Sequence, residues 1–183
     1  IDSWYVGKTY GEIWGYETDR LYQAEDFAYA TDGKLIPIVL EGGQTVNQLS
    51  DPNGATQGEL QGGDFKFGPG DVKFTDLNGD GIISDGNRLT NDHGDLKVIG
   101  NFTPRYEYGF RAGAGFKGFD FNIFFQGIGQ RDVWGYGPLA LPGFNVSDGA
   151  MPQAIAGNFW KEDRTDAFYP RPVNIGTATS GTN

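Results

Sequence analysis

The chain has 183 residues, 38% of them hydrophobic and 15% aromatic, with 30 glycines, no cysteine and a formal net charge of −10. Without cysteine there is no disulfide framework, thiol nucleophile or cysteine-based zinc site. The acidic balance, 14 Lys plus Arg against 24 Asp plus Glu, argues against a nucleic-acid backbone as partner and suits neutral sugars, peptides or divalent cations.

In chain order, residue Ile1 opens no signal peptide, and nothing approaches the ~18 consecutive apolar residues of a transmembrane helix. A barrel strand would pass that test unnoticed. Residues 10–18 predict a first strand, with Tyr10, Trp14 and Tyr16 on one face beside Glu12. A short helix-like or turn segment is expected over 21–30. Asp32 and Gly33 signal a turn, and residues 35–40 suggest a short strand interrupted by Pro37. A long connection rich in Gly, Asn and Gln then runs to Gly70, and 71–75 is a short strand candidate.

Asp76-Leu77-Asn78-Gly79-Asp80-Gly81-Ile82-Ile83-Ser84-Asp85-Gly86-Asn87 is the sharpest local signal. It matches a calcium loop at positions 1, 3, 5 and 6, where oxygen side chains converge and Gly allows the sharp turn. Asp76, Asn78 and Asp80 would be ligands, Ile82 would give its carbonyl at position 7, and Ser84 would stand at position 9. Position 12 is Asn87 where a bidentate Glu is usual, and the preceding segment is strand-like rather than helical. With few carboxylates the expected affinity is weak, roughly 10⁻⁴–10⁻³ M. The competing reading is an Asn/Asp/Gly turn that holds itself by side-chain to backbone bonds.

Residues 104–129 predict a β-hairpin. From Arg105 to Phe116 the even positions are Tyr106, Tyr108, Phe110, Ala112, Ala114 and Phe116, while the odd positions are charged or glycine. A two-residue turn at Lys117 and Gly118 would set Phe116 opposite Phe119, Ala114 opposite Phe121, Ala112 opposite Ile123 and Phe110 opposite Phe125. The other face collects Asp120, Asn122, Phe124 and Gln126 beside Arg111 and Glu107. Both arms reach the roughly 9–11 residues a membrane strand needs. A one-sided antiparallel sheet of a soluble sandwich alternates in the same way.

After Trp134, prolines at 138, 142, 152, 170 and 172 keep regular structure short, although 151–161 could hold a short helix. Trp134, Tyr136, Phe144, Phe159, Trp160, Phe168 and Tyr169 crowd this stretch. Most would form a small core that holds a long loop together. Trp134, Tyr136 and Trp160 are the candidates for contact with a ligand or partner.

No catalytic constellation emerges. His93 is the single histidine, and carboxylate pairs such as Asp163 with Asp166 read better as solvated loop charges. Gly113 to Gly118 spells GxGxxG, but a strand follows where a nucleotide site needs a helix. The chain is not expected to be an enzyme.

Several blocks share one pattern: YGEIWGYETDRLYQ at 10–23, GDVKFTDLNGDG at 70–81, IGNFTPR at 99–105, KGFDF at 117–121 and FQGIGQRDVW at 125–134. Trp160 with FYPR at 168–171 is a weaker echo. Together they resemble the C-terminal barrel portion of the SusC/RagA family of TonB-dependent outer-membrane transporters. Arg20 stands where that family usually has Gly.

The resemblance implies an all-β fold, part of a large transmembrane antiparallel barrel of which about three strands fall in this chain, with long extracellular loops. It makes residues 1–183 a single fragment of a receptor barrel. Residues 19–102 would be an extracellular loop carrying the calcium-like loop 76–87, 103–129 a membrane hairpin with a periplasmic turn, and 130–183 a second extracellular loop. The implied role is import of oligosaccharides or peptides across the bacterial outer membrane. A SusD-like surface lipoprotein and the TonB complex would be partners, and membrane lipid would be the surroundings. The alternative is a secreted, calcium-stabilised β-module that binds glycans.

Overall fold

The Lys117–Gly118 turn works because both residues take positive φ, 48° and 84°, as a two-residue hairpin turn of the I′ kind demands. The structure, a computed structural model, describes residues 1, 4–135 and 151–172. It is all-β, with eight strands and two one-turn 3-10 helices among the described residues.

The chain divides into two units. The second, residues 4–15 and 98–134, contains the hairpin. Its strands are β7 (Tyr106–Phe116) and β8 (Phe119–Gly129), eleven residues each. They pair antiparallel without a bulge, from Tyr106 with Gly129 to Phe116 with Phe119. All four cross-strand pairs expected from the alternation are present. Phe110 and Phe125 stack with centroids 4.7 Å apart, a cross-strand contact worth roughly 0.5–1.5 kcal/mol beyond its area.

Glycines at the open end have a separate use. A Cβ on Gly129 would stand 2.1 Å from the Tyr106 ring, and one on Gly127 2.2 Å from the Tyr108 ring. The tyrosines lie flat across the glycines that face them, which is how aromatic rings compensate bare positions in a sheet. Nearly every residue of both strands is exposed, on both faces. A lone two-stranded hairpin is marginal in water.

β1 (Glu12–Tyr16) pairs with β6 (Leu96–Asn101). The strand expected over 10–18 is therefore cut short. After Glu17 the chain starts a separate strand, β2 (Thr18–Leu21), that pairs with β5 (Val72–Phe74), and a bulge lies between Thr18 and Arg20. Among the described strands β7 and β8 alone have membrane-strand length, and the stretch expected as one strand over 10–18 is two short strands with different partners.

The first unit takes in described residues 1, 16–97, 135 and 151–172. The stretch before Gly70 is more ordered than its composition suggests. Strands β3 (Pro37–Val39) and β4 (Thr45–Asn47) form a short hairpin, with Pro37 at the first strand position, where its missing N–H does no harm. A ladder of bonds continues beyond it, from Gln48 N to Ile36 O, Ile36 N to Ala28 O and Ala28 N to Gln48 O. Tyr22, Phe27, Val46, Ile83, Leu96, Ile155 and Trp160 are buried and form the small core. The helix suggested over 151–161 does not form. Residues 153–157 are turns around the buried Ile155, and the chain then makes a bridge from Phe159 to Tyr169.

Candidate functional site

Short polar side chains next to glycine capture nearby backbone N–H groups, and the loop at 76–82 is built this way. The Asp76 carboxylate accepts from Gly79 N at 2.6 Å through Oδ1 and from Gly81 N at 2.9 Å through Oδ2. Asn78 Oδ1 accepts from Asp80 N at 2.9 Å, its amide donates to Asp80 Oδ2, and Asp80 Oδ1 accepts from Ile82 N at 2.8 Å. Gly79 and Gly81 take φ of 77° and 82°, which side-chain-bearing residues adopt only with strain.

Asp76, Asn78, Asp80 and Ile82 are thus brought together. Ser84 and Asn87 are drawn elsewhere. Ser84 bonds through its backbone to Asp95, and the Asn87 side chain donates to Asp92. Each bonded oxygen of Asp76 and Asp80 retains a lone pair, so a hard cation is compatible with this donor set. No cluster of three or more acidic, histidine or cysteine side chains suited to a metal occurs among the described residues.

Asp95 organises the loop from beneath and has no local sequence signature. It is fully buried. Its Oδ1 accepts from Leu77 N at 2.7 Å and Asn78 N at 3.4 Å, and its Oδ2 from Ser84 N at 2.9 Å. Asp95 N in turn donates to Ser84 O at 2.9 Å. A buried carboxylate that accepts several backbone N–H groups is satisfied without a counter-cation.

A second constellation closes the first unit. Arg171 donates to Asp71 through Nε at 2.9 Å and Nη2 at 2.8 Å, and Gly68 N donates to the same carboxylate at 2.7 Å. Next to it, Arg171 N donates to Gly70 O and Gly70 N to Tyr22 O, each at 2.8 Å. Gly70 has φ of 86°, and a Cβ there would stand 2.4 Å from the Trp160 ring. Trp160 Nε1 donates to Gln23 Oε1 at 3.3 Å. Trp160 is therefore a buried core residue, 8% exposed, which corrects the expectation that it faces a ligand or partner. Trp134 is exposed. Tyr136 lies outside the described residues.

Arg20 holds Asp26 with a bidentate pair at 2.6 Å on both arms. That guanidinium, and then the Gln23 N–H, keep the Asp26 carboxyl below the usual range against the opposing pull of burial. Burial pushes the Tyr22 hydroxyl well above its ordinary value. A cleft near Tyr22 and Phe27 is lined by Asn47, Gln57 and Gln61. Their amides are spent on the backbone: Gln57 bonds Val72 O and Phe74 N, Gln61 bonds Thr45 O and Phe67 N, and Asn47 bonds Phe67 O. They brace the unit.

The hairpin presents Tyr106, Tyr108, Phe110, Phe116, Phe119, Phe121 and Phe125, all large, apolar and exposed. On the other face the Arg111 guanidinium lies 5.8 Å from the Phe124 ring centroid. One face is suited to hydrocarbon and the other to water or polar solutes.

No family model matches the chain, and no solved structure does. Among curated proteins it is similar to TonB-dependent receptor P3 of Formosa agariphila, 31% identical over 167 residues that make up 91% of this chain and 13% of that receptor. The chain thus spans a small part of the relative it matches. The likeness supports the TonB-dependent receptor family.

Proposed function

We propose that this chain is a section of barrel wall and outer loops from a TonB-dependent receptor of the bacterial outer membrane. The alignment over 91% of the chain carries the reading, and the hairpin supports it physically. Two eleven-residue strands, exposed on both faces and unpaired on their outer edges, need neighbours, because open strand edges are not tolerated in lipid. A secreted glycan-binding module would leave that apolar face in water, which disfavours the alternative.

The family blocks make the SusC/RagA kind of receptor the closest fit. In that role the protein imports oligosaccharides or peptides, with a SusD-like lipoprotein over its outer loops and the TonB complex supplying energy through parts of the receptor outside this stretch. The residues here do not carry out catalysis. β7 and β8 are wall, and the first unit is loop structure closed by the Asp71–Arg171 pair. Calcium fits at Asp76, Asn78, Asp80 and the Ile82 carbonyl. Bound there it would take the lone pairs that the backbone N–H groups leave free and stiffen the loop, while Ser84 and Asn87 stay bonded to Asp95 and Asp92.

The test is uptake. Cells that carry the full-length receptor should accumulate labelled oligosaccharide or peptide, lose that uptake when TonB is deleted, and release the surface lipoprotein with the purified receptor. Recovery of the full-length protein in the soluble fraction, or uptake indifferent to TonB, would overturn the reading.

A further inference from the structure

Two Asn-Gly pairs occur in the chain, Asn53–Gly54 and Asn78–Gly79, and both asparagines are exposed. An asparagine before glycine can lose its amide without an enzyme. The glycine N gives up its proton and attacks the asparagine Cγ, a five-membered imide closes, and Nδ2 leaves as ammonia with that proton. Water then opens one of the two imide carbonyls, giving aspartate or isoaspartate, and nothing is oxidised or reduced. Glycine favours the step because it has no Cβ to obstruct the approach. Two conditions set the rate: the glycine N–H must be free to lose its proton, and the asparagine Cγ must be free to reach that nitrogen.

The structure treats the two pairs differently. Gly79 N donates to Asp76 Oδ1 at 2.6 Å, and Gly81 N holds the other carboxylate oxygen in place at 2.9 Å. A short bond to a charged acceptor keeps the proton on nitrogen, and the negative carboxylate opposes the amide anion that attack requires. The Asn78 side chain is pinned at both ends, since Oδ1 accepts from Asp80 N and Nδ2 donates to Asp80 Oδ2, each at 2.9 Å. Its Cγ must break both bonds to reach Gly79 N. At the other pair the restraints are weaker. Gly54 N donates to the Asp51 carbonyl at 3.1 Å, a longer bond to a neutral acceptor, while Asp51 Oδ1 accepts from Asn53 N at 2.9 Å. The Asn53 side chain makes no hydrogen bond among the described residues, so its rotation breaks none.

We propose that Asn53 is a site of spontaneous deamidation in this protein, and that Asn78 is spared because Asp76 and Asp80 hold the same dipeptide out of reaction. Conversion at 53 places a new carboxylate two residues from Asp51 and, as isoaspartate, adds one carbon to the backbone of the turn. Ser50, just before that turn, ties it to residues 24–26: its N donates to Asp26 O at 2.8 Å and its Oγ to Glu25 O at 2.7 Å. Conversion at 78 would instead set a third carboxylate between Asp76 and Asp80, so the shield preserves the charge of that loop. Neither conversion depends on what the receptor transports.

The experiment ages the full-length protein in detergent at neutral pH. Peptides that contain residue 53 or 78 are followed by mass spectrometry, with the aspartate and isoaspartate products separated by chromatography. Asn53 should convert at least about tenfold faster than Asn78 in the folded protein. In denaturant, where the restraints are gone, the two rates should agree within about threefold. Asp76→Ala should raise the Asn78 rate at least about tenfold and leave Asn53 unchanged. Equal rates in the folded protein, or a faster Asn78, would overturn the proposal, and the wild-type comparison with denaturant reads this without any variant. No conversion at 53 under conditions that convert the denatured chain would remove it as a site. An Asn78 rate indifferent to Asp76→Ala would overturn the shield, and so would acceleration of both pairs alike, since protection would then belong to the fold as a whole.

Discussion

Replacing Arg171 with Met isolates the contribution of the Asp71 pair, because the stem is kept and only the guanidinium is lost. The Asp71 side chain is 6% exposed and that of Arg171 35%. The carboxylate loses two of its three hydrogen bonds and keeps Gly68 N. Hydrogen bonds to charged groups are worth ~1.5–3 kcal/mol each, and a carboxylate left short of partners adds a desolvation penalty, but partial solvent access at the Arg171 side recovers some of it. The net loss should be about 2–4 kcal/mol of local opening free energy. Hydrogen exchange on the full-length receptor reads this directly. Amides of Gly70, Trp160 and Arg171, which bond to Tyr22 O, Tyr169 O and Gly70 O, should exchange about 30-fold to several hundred-fold faster, at ~1.4 kcal/mol per tenfold. The hairpin amides of β7 and β8 should not change. In a double substitution with Asp71→Ala the combined loss should fall short of the sum by ~1.5–3 kcal/mol. Exchange within twofold of the parent at all three amides, or strict additivity, would refute the pair as a structural tie.

Three further outcomes are expected. Gly70→Ala meets both a positive φ and the Trp160 ring, so it should cost about 2–4 kcal/mol, whereas Gly33→Ala, at φ 81° in open space, should cost only about 1 kcal/mol; limited proteolysis of residues 151–172 in the intact receptor separates the two. Asp26 has a folded value held below its ordinary one, chiefly by Arg20, so its contribution is full above the unfolded value of about 4 and disappears as pH falls through the folded value below that. Exchange at the 24–26 turn should accelerate over this acid range, and Asp26→Asn should abolish that pH dependence. Asp95→Asn sets an amide group against Ser84 N–H in place of an acceptor and should cost about 2–3 kcal/mol, seen as lost protection at residues 77, 78 and 84. It should also weaken any calcium-dependent protection of 76–82, as should Asp76→Asn.

The hairpin was legible because its information is local. Strict alternation, an exposed pair of arms and a Lys-Gly turn fix the register with no help from the remainder of the chain. The loop at 76–82 was legible for the same reason, since each Asx bond spans only two to five residues. What could not be read depends on distant partners. β6 exists by pairing with β1 far upstream, and its own sequence is half-exposed and weakly patterned. β4 forms beneath a composition that suggests a loop. Asp95 acts on residues eleven and more positions before it, and nothing beside it announces that. Trp160 looked like a surface aromatic because Gly70, which makes room for it, is ninety residues away in sequence. The break of the first strand at Glu17 is likewise tertiary: Glu17 O accepts from Thr75 N at 2.9 Å, and its carboxylate pairs with Lys97 at 2.5 Å.

The Asp71–Arg171 contact joins residues one hundred positions apart, and the whole of the hairpin lies inside the ring of chain it closes. Contacts within the hairpin are all between near neighbours in sequence and form in microseconds, while the entropy of closing a long loop must be met before its contact is rewarded. Assembly therefore has an order: the two long strands zip first, and the first unit is fastened last. A variant that slows the strands would leave the two halves of the first unit apart, so a lesion in the hairpin would first become visible as a fault in the first unit.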